Sequence, residues 1–398
     1  MPDKAKGIKL VYITGVGITQ WWCLRGQNKF IAKKGFDLHS IASPDKHLSA
    51  LSKRDGVTAH PVSIPRRISP LRDFIAFLRL FFILLALRPQ VVHLSTPKAS
   101  VLGSLAAWAA RVPISVYLIR GLHSEKQKGF RRKFFSFLES IPARLCSQTI
   151  CVSPSLLEFA RSEGIIAPDR GAVVANGMSN GVDVDHFDPA RVAREVDIKA
   201  LALSLNLPPN CKVIGFVGRL AVDKGIHELV SVWQAIVADF PDVHLLLVGH
   251  WMEQVDEISQ EVRKFLIEDP RVHLPGDVED PAPYYALMSI FVLPTHGSEG
   301  WPNVAMEASA MELPVVATKV VGCVDAVLDG MTGMLTPLKD ETALAGAIRM
   351  YLGNPELCNR HGKAGRERVI RDFRQEIVWE GLYAEYVRLL RRKGLPVP

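Results

Sequence analysis

The chain has 398 residues, enough for two domains of ordinary size, and 48% hydrophobic with 22% charged residues excludes a disordered polymer. Six cysteines (Cys23, Cys146, Cys151, Cys211, Cys323, Cys358) are scattered with no C-x-x-C pair. That argues against a zinc site or disulfide framework and suits a reducing cytosol. Up to Asp185, 26 Lys and Arg stand against 12 Asp and Glu, a net +14, while the remainder nets −7. One half is therefore expected to face a polyanion. No nucleic-acid module is recognisable, so an anionic membrane surface is the expected partner and nucleic acid is not.

Met1 to Gly7 shows no signal-peptide pattern and leads directly into a strand, Ile8–Thr14. Gly15 and Gly17 follow, but Gln20 stands where a dinucleotide fingerprint needs its third glycine. Gly15 and Gly17 are read instead as flexible positions where backbone approaches a substrate or the facing domain. A helix is expected over Trp21–Lys34, then strands at Phe36–Ala42 and Val57–Ile64. Ser69–Leu87 is the most apolar helix, interrupted by Arg72, Asp73 and Arg79, and its uninterrupted run is too short to span a bilayer, which takes about 20 residues. It either packs against the sheet or lies in a membrane interface.

Val91–Leu94 is a strand, a helix runs from Thr96 through Ala110, and Ile114–Ile119 leads into Arg120-Gly121-Leu122-His123. Lys126 to Phe135 interleaves basic residues with phenylalanines and reads as a membrane-surface segment. Strands at Ile150–Val152 and Gly171–Val174 complete a doubly wound parallel sheet.

Asn176 to Pro189 changes character and is taken as the linker. The β/α alternation then resumes: strand Lys212–Gly218, helix 224–239, strand Val243–Val248, helix 253–268, strand Val272–Leu274, helix 281–288 and strand Ser289–Leu293. After these come a helix from Pro302 to Met311, a strand at Val315–Ala317 and helices beyond Asp340, the last from Gln375 to Arg392. The expected division is 1–184, 185–374 and a terminal segment 375–398 packing back on the first. Two tandem sheets imply a cleft.

Two stretches carry chemistry. Gly218-Arg219 and Lys224-Gly225 follow a strand and open a helix. The glycine admits close backbone, Arg219 offers a bidentate fork, and Lys224 sits as a point charge at a positive helix end, the makings of a diphosphate clamp. Glu299 lies in the loop after the strand Ser289–Leu293, and Glu307 about two turns into the next helix. The helix start from Gly300 through Asn303 to Val304 offers free N–H groups. Taken singly, each of these residues is equally a solvated surface charge.

Together, Arg219, Lys224-Gly225, Glu299-x7-Glu307 and the linker Asn180-Gly181-Val182-Asp183…Phe187-x-Pro189 resemble the retaining glycosyltransferases of family 4, of GT-B fold. Thr96–Gly103 and Cys151–Ser155 look like the subgroup that builds capsule, O-antigen and lipid-linked oligosaccharides. Gly322–Val327 is similar to enzymes adding N-acetylgalactosamine to diphospho-undecaprenyl-linked bacillosamine. The resemblance implies two Rossmann-like domains facing across a cleft and a donor that is a nucleotide sugar, UDP-linked. It gives Arg219 and Lys224 to the diphosphate, Glu299 to the transferred sugar with backbone at Gly300 to Asn303, and Glu307 to the ribose.

The acceptor would be lipid-linked and bind the first half, with Arg120 and His123 as candidate contacts. Arg120 stands where the family often carries His. Asp183-Val184-Asp185 spells a metal-binding D-x-D, but inside the linker motif it reads as structural, so neither metal nor cofactor is expected. The expected location is the cytoplasmic face of the inner membrane, peripheral or monotopic. The competing readings are an epimerase or phosphorylase of the same fold, or a non-catalytic sugar-nucleotide-binding membrane protein.

Overall fold

Strands that read as short apolar runs form two parallel sheets in the computed structural model, which describes residues 7–65, 67–252, 257–297 and 299–398. The chain divides into two compact units, Met1–Gly181 with Gln375–Pro398, and Val182–Arg374.

In the first unit, β1 (Ile8–Val16), β2 (Phe36–Ser43), β3 (Thr58–Pro61), β4 (Val91–Ser95), β5 (Ile114–Ile119) and β6 (Gln148–Cys151) pair in the order β3-β2-β1-β4-β5-β6. Every pair is parallel. β4 and β5 are buried along their whole length, which is why they read as continuous rather than alternating runs. Helix Pro97–Ala109 seats small residues, among them Ala99, Gly103 and Ala107, on the sheet. A Cβ at Gly103 would stand 2.6 Å from Leu94 Cδ2, so glycine lets this helix approach closely. The helix expected over Trp21–Lys34 is two, Gly17–Cys23 and Gln27–Lys33, broken at Gly26, whose φ is +78°. Gly171–Val174 is not a strand; it contributes a single bridge, Ala172 to Ile150. Helix Lys46–Asp55, unforeseen from the sequence, is capped by the Asp45 carboxylate on Leu48 N–H.

Helix Gln375–Arg392 belongs to this first unit. Trp379 Nε1 donates to Asn180 Oδ1 at 2.8 Å, Lys34 pairs with Glu380 at 2.6 Å, and Tyr386 is buried with its hydroxyl 2.6 Å from His93 Nδ1.

The second unit repeats the plan. β7 (Lys212–Val217), β8 (Val243–Val248), β9 (Val272–Gly276), β10 (Ile290–Leu293), β11 (Val315–Thr318) and β12 (Gly333–Thr336) pair in the order β12-β11-β10-β7-β8-β9. The expected helix 224–239 starts late, at Ile226, because Gly225 adopts φ +74° after a short 3₁₀ turn. Of the expected helix 253–268, Gln260–Glu268 is helical and residues 253–256 lie outside those described, as does Ser298 in the Glu299 loop. In each sheet the chain winds outward through three strands and then returns to the other side. The strand order therefore reverses between β1 and β4, and between β7 and β10, the places where open α/β sheets bind ligands.

Candidate active site

β7 and β10 lie side by side, so the loops leaving their carboxyl ends meet. They are stitched together at Asp223, whose carbonyl accepts from His296 N–H at 2.9 Å and from Thr295 Oγ1 at 3.1 Å. A Cβ at Gly225 would stand 1.9 Å from the Pro294 carbonyl oxygen, so only glycine fits this crossing. The stitch carries Lys224 onto Glu299: Nζ donates to Oε1 at 2.7 Å and to Oε2 at 2.9 Å, with both side chains mostly withdrawn from solvent. Arg219, more exposed, donates to Asp223 Oδ2 at 3.2 Å. Glu299 N–H donates to Val321 O, and Gly322, at φ +85°, leaves room for the Gly300 carbonyl. Cys323 is buried nearby; burial first, then the Glu299 charge, hold its thiol well above the ordinary range.

Helix Asn303–Ala310 opens beside this cluster with no side-chain cap. Ala305 and Met306 N–H donate to Pro302 O, so the N–H groups of Asn303 and Val304 are the ones left for an anion. Glu307 stands inside that helix, against Tyr285. The Tyr285 hydroxyl lies 3.0 Å from Glu307 Oε2 and 3.1 Å from Val304 O. Burial pushes the Glu307 carboxyl up to about 7, with Asp280 adding to the rise and the Tyr285 contact offsetting part of it.

The structure thus brings Arg219, Lys224, Glu299 and the start of helix Asn303–Ala310 to one switch point. Asp223, Tyr285 and Val321 join them without having been singled out, and Gly322 opens the Gly322–Val327 motif noted in the sequence. Asp223 had a local signal, four residues after Arg219 and adjacent to Lys224; Tyr285 and Val321 come from distant elements and had none. Gly218, at φ +148°, uses the freedom expected of it.

In the first unit the candidates separate. Gly17 N–H donates to Asp45 Oδ2 at 2.9 Å, and a Cβ there would stand 2.3 Å from Asp45 Oδ1. Its amide is engaged within the fold rather than offered to a donor. His123 lines a cavity of about 710 Å³ at the β1/β4 switch point, its N–H held by Glu139 Oε1 at 2.6 Å. Arg120 lines a different and much smaller recess with Tyr12, His93 and Ser95. Its Nε and Nη1 are buried and have no partner among the described residues. Burial, then the Arg120 charge, bring His93 down to about 3. Asp183 accepts from His186 N–H at 3.0 Å, a turn contact in the linker.

Residues 211–354 match the family model described as Glycosyl transferases group 1, and residues 29–177 the model described as Glycosyl transferase 4-like domain. The capsular polysaccharide biosynthesis glycosyltransferase CapM of Staphylococcus aureus is 34% identical over 368 residues, 92% of this chain and 94% of that one. The chain belongs to this glycosyltransferase family. An Escherichia coli relative, UDP-Gal:alpha-D-GlcNAc-diphosphoundecaprenol alpha-1,3-galactosyltransferase, is 26% identical and spans 87% of each chain. Among solved structures, a glycosyltransferase from Rickettsia africae ESF-5 superposes with TM-score 0.80 at 18% identity, covering 97% of this chain and 99% of its own. Anabaena Alr3699/HepE, in complex with UDP and glucose, superposes at 0.77 and 19% identity, covering 96% and 99%. The transferase has the GT-B fold.

Proposed function

We propose that this transferase moves a hexose or N-acetylhexosamine from a UDP-sugar to a polyprenyl-diphosphate-linked saccharide, with retention at the anomeric carbon and without a metal ion. The observation that carries the reading is the Lys224–Glu299 pair held at the β7/β10 switch point, with Arg219 and an uncapped helix start beside it. Breaking the bond between a sugar and a diphosphate builds negative charge on the leaving group and positive charge on the anomeric carbon. Fixed cations stabilise the first and a fixed carboxylate the second, and neither has to reorganise during the reaction. Arg219 and Lys224 supply the charge that a divalent ion supplies in other diphosphate chemistry. Their partner acids, Asp223 and Glu299, hold them in place. An incoming diphosphate competes with Glu299 for Lys224 and frees the glutamate for sugar hydroxyls, while Glu307 takes the ribose.

The lipid-linked acceptor is supported by the name of the Escherichia coli relative, UDP by that relative and by the ligand of the Anabaena structure. A more specific similarity, to the bacillosamine-directed enzymes, rests on Gly322–Val327 alone.

Membrane attachment is part of the proposal, at the cytoplasmic face and through the first unit. Helix Pro70–Leu87 buries only the stripe Ala76, Leu80 and Leu84, and exposes Leu71, Phe74, Ile75, Phe82 and Leu85. Phe130, Phe134 and Phe137 are exposed on helix Gly129–Leu145 among Arg131 and Lys133. No helix among the described residues is long and apolar enough to cross a membrane. Release of UDP from UDP-sugars with and without a prenyl-diphosphate acceptor, followed by mass spectrometry of the lipid, tests the reading. UDP release without a heavier lipid, or conversion of the sugar nucleotide itself, overturns it.

A further inference from the structure

The cavity at the β1/β4 switch point does not resemble the donor site. Its walls are apolar side chains from two helices, Val101 and Leu102 on Pro97–Ala109, and Phe134, Phe135 and Leu138 on Gly129–Leu145, closed by Ile64. At about 710 Å³ it falls in the range of ligand pockets rather than packing defects. An apolar cavity of this size is a poor place for a sugar, whose hydroxyls would lose water without gaining partners.

One side of it is different in kind. Helix Pro97–Ala109 begins there with no side-chain cap, after Thr96, a β-branched residue held at φ +78° and tied down by Gly15 N–H on its Oγ1 at 2.9 Å. Strain of this sort is retained where the surrounding structure fixes it, and it clusters at ligand sites. Lys98 and Arg67 line the same side. Lys98 is anchored by Asp73 at 2.6 Å. Arg67 is exposed and has no ion-pair partner among the described residues. Asp73 also lines this side and neutralises much of the Lys98 charge, so the free Arg67 guanidinium and the helix start are what suit this end to an anion, with Lys98 a hydrogen-bond donor beside them. The other walls suit hydrocarbon. Ile68, also on the lining, is exposed, as are Leu71 and Phe74 shortly after it on helix Pro70–Leu87.

We infer that this cavity binds the diphosphate-proximal isoprenoid segment of the lipid-linked acceptor, chain against Val101, Leu102 and Phe135, diphosphate towards Arg67 and Lys98. The assignment rests on the acceptor class proposed above and adds a site to it. It makes the transferase a reader of the lipid as well as of the sugar.

The test uses the full chain in detergent micelles with a polyprenyl diphosphate bearing a diazirine on its first isoprene units. Peptides containing Val101–Leu102 and Phe134–Leu138 should be labelled, and unlabelled polyprenyl diphosphate should compete. A diazirine-tagged phosphatidylglycerol labelling the same peptides equally, without competition by the prenyl diphosphate, would make the cavity a bilayer-lipid site and overturn the assignment. Leu102→Trp fills the cavity and should raise KM for a long-chain acceptor at least tenfold more than KM for a short alkyl diphosphate carrying the same saccharide. UDP-induced thermal stabilisation reports whether the variant is folded. Val101→Trp provides a second filling variant should the first fail that control. Transfer to the lipid acceptor with no labelling and no chain-length effect removes the cavity while leaving the proposed function. Labelling without transfer from any nucleotide sugar removes the proposed function while leaving the cavity.

Discussion

The two units share one strand order and one kind of switch point, yet their contents are opposed. At β7/β10 the loops bring charged side chains into contact, Lys224 with Glu299 and Arg219 with Asp223. At β1/β4 the corresponding place is a largely apolar cavity whose few charged lining residues are Arg67, Asp73, Lys98 and Glu139. Net charge follows the same division: 30 Lys and Arg against 13 Asp and Glu in the first unit, 18 against 28 in the second. The topology fixes where a ligand can sit, and the loop and helix residues fix what kind. On the proposed function, the basic unit with exposed apolar side chains would take the amphiphilic acceptor, and the acidic unit with two held cations the small, highly charged donor.

Removing the charges that define the second site should have the largest effect. Lys224→Ala and Arg219→Ala are each expected to slow transfer by about 10²–10³, the usual loss when one preorganised charge is deleted. Circular dichroism should show both folds intact. Near wild-type turnover in either would erase the contrast between the two switch points. Glu299→Gln should depress kcat more than it raises the donor KM, since its proposed partner is the reacting sugar.

A glycine pair compares the units through the backbone. Gly225 and Gly56 have nearly equal φ, +74° and +71°. A methyl group at Gly56 meets nothing within 4 Å, while at Gly225 it meets the Pro294 carbonyl at 1.9 Å. Gly56→Ala should cost only the left-handed penalty, about 1–2 kcal/mol. Gly225→Ala adds overpacking and should total about 2–5 kcal/mol, read by thermal unfolding, and should weaken UDP binding because the loop carrying Lys224 must move. Equal losses at both positions would mean that the crossing of the two loops is not what holds the site.

The proposed membrane contact of the first unit is open to a charge test. Of the basic run on helix Gly129–Leu145, Arg132 is engaged by Glu163 through two bonds, at 2.6 and 2.8 Å, so Arg131 and Lys133 are the ones left for lipid. Each basic residue near an anionic leaflet contributes about 1 kcal/mol, so Arg131→Ser with Lys133→Ser should weaken flotation on phosphatidylglycerol vesicles by roughly 30-fold. Phe130→Ser with Phe137→Ser should weaken binding to neutral vesicles as well. Wild-type protein that floats on neither vesicle ends the membrane reading.

How much of this was readable from the chain depends on distance along it. The central strands are uninterrupted Val, Ile and Leu runs, so their spans and alternation were clear, and with them the parallel sheets. Short edge strands such as β12, with Gly333 and Thr336 at its ends, carry too little pattern to be seen. Arg219, Lys224, Glu299 and Glu307 stood out because each lies at a fixed offset from a strand end. Tyr285 and Val321 did not, because they reach the site from other strand–helix units. Most of the first-unit cavity was hidden for the same reason: apart from His123, a candidate contact from the sequence, it is assembled from segments between Gly15 and Glu139 that do not look like a site alone. For the apolar helix Pro70–Leu87 the sequence left two options open; in the structure only the narrow stripe Ala76, Leu80 and Leu84 is buried, and the helix packs on helix Pro97–Ala109.

The smallest expected effect, and the most specific to the donor site, is a pH dependence set by Glu307. The Tyr285 hydroxyl has one proton and two acceptors within reach, Val304 O and Glu307 Oε2. Burial and then the Asp280 charge push the Glu307 carboxyl up to about 7 from an ordinary 4.5, while the Tyr285 hydroxyl, donating to Oε2, favours the ionised form and offsets part of that rise. Because the folded value is the higher one, this group's contribution to stability is complete below pH 4.5 and is lost as pH rises through 7. Ribose hydroxyls hydrogen-bonding to the carboxylate would take the place of that proton. UDP-glucose, whose diphosphate diester does not titrate in this range, should therefore bind roughly tenfold more weakly at pH 6 than at pH 8, with a proton released on binding. Glu307→Gln should bind weakly at both pH values and show neither the slope nor the proton, by titration calorimetry in buffers of different ionisation enthalpy. A slope that survives in Glu307→Gln would assign the titration to another group, and a wild-type affinity independent of pH would show that Glu307 is not where the ribose is held.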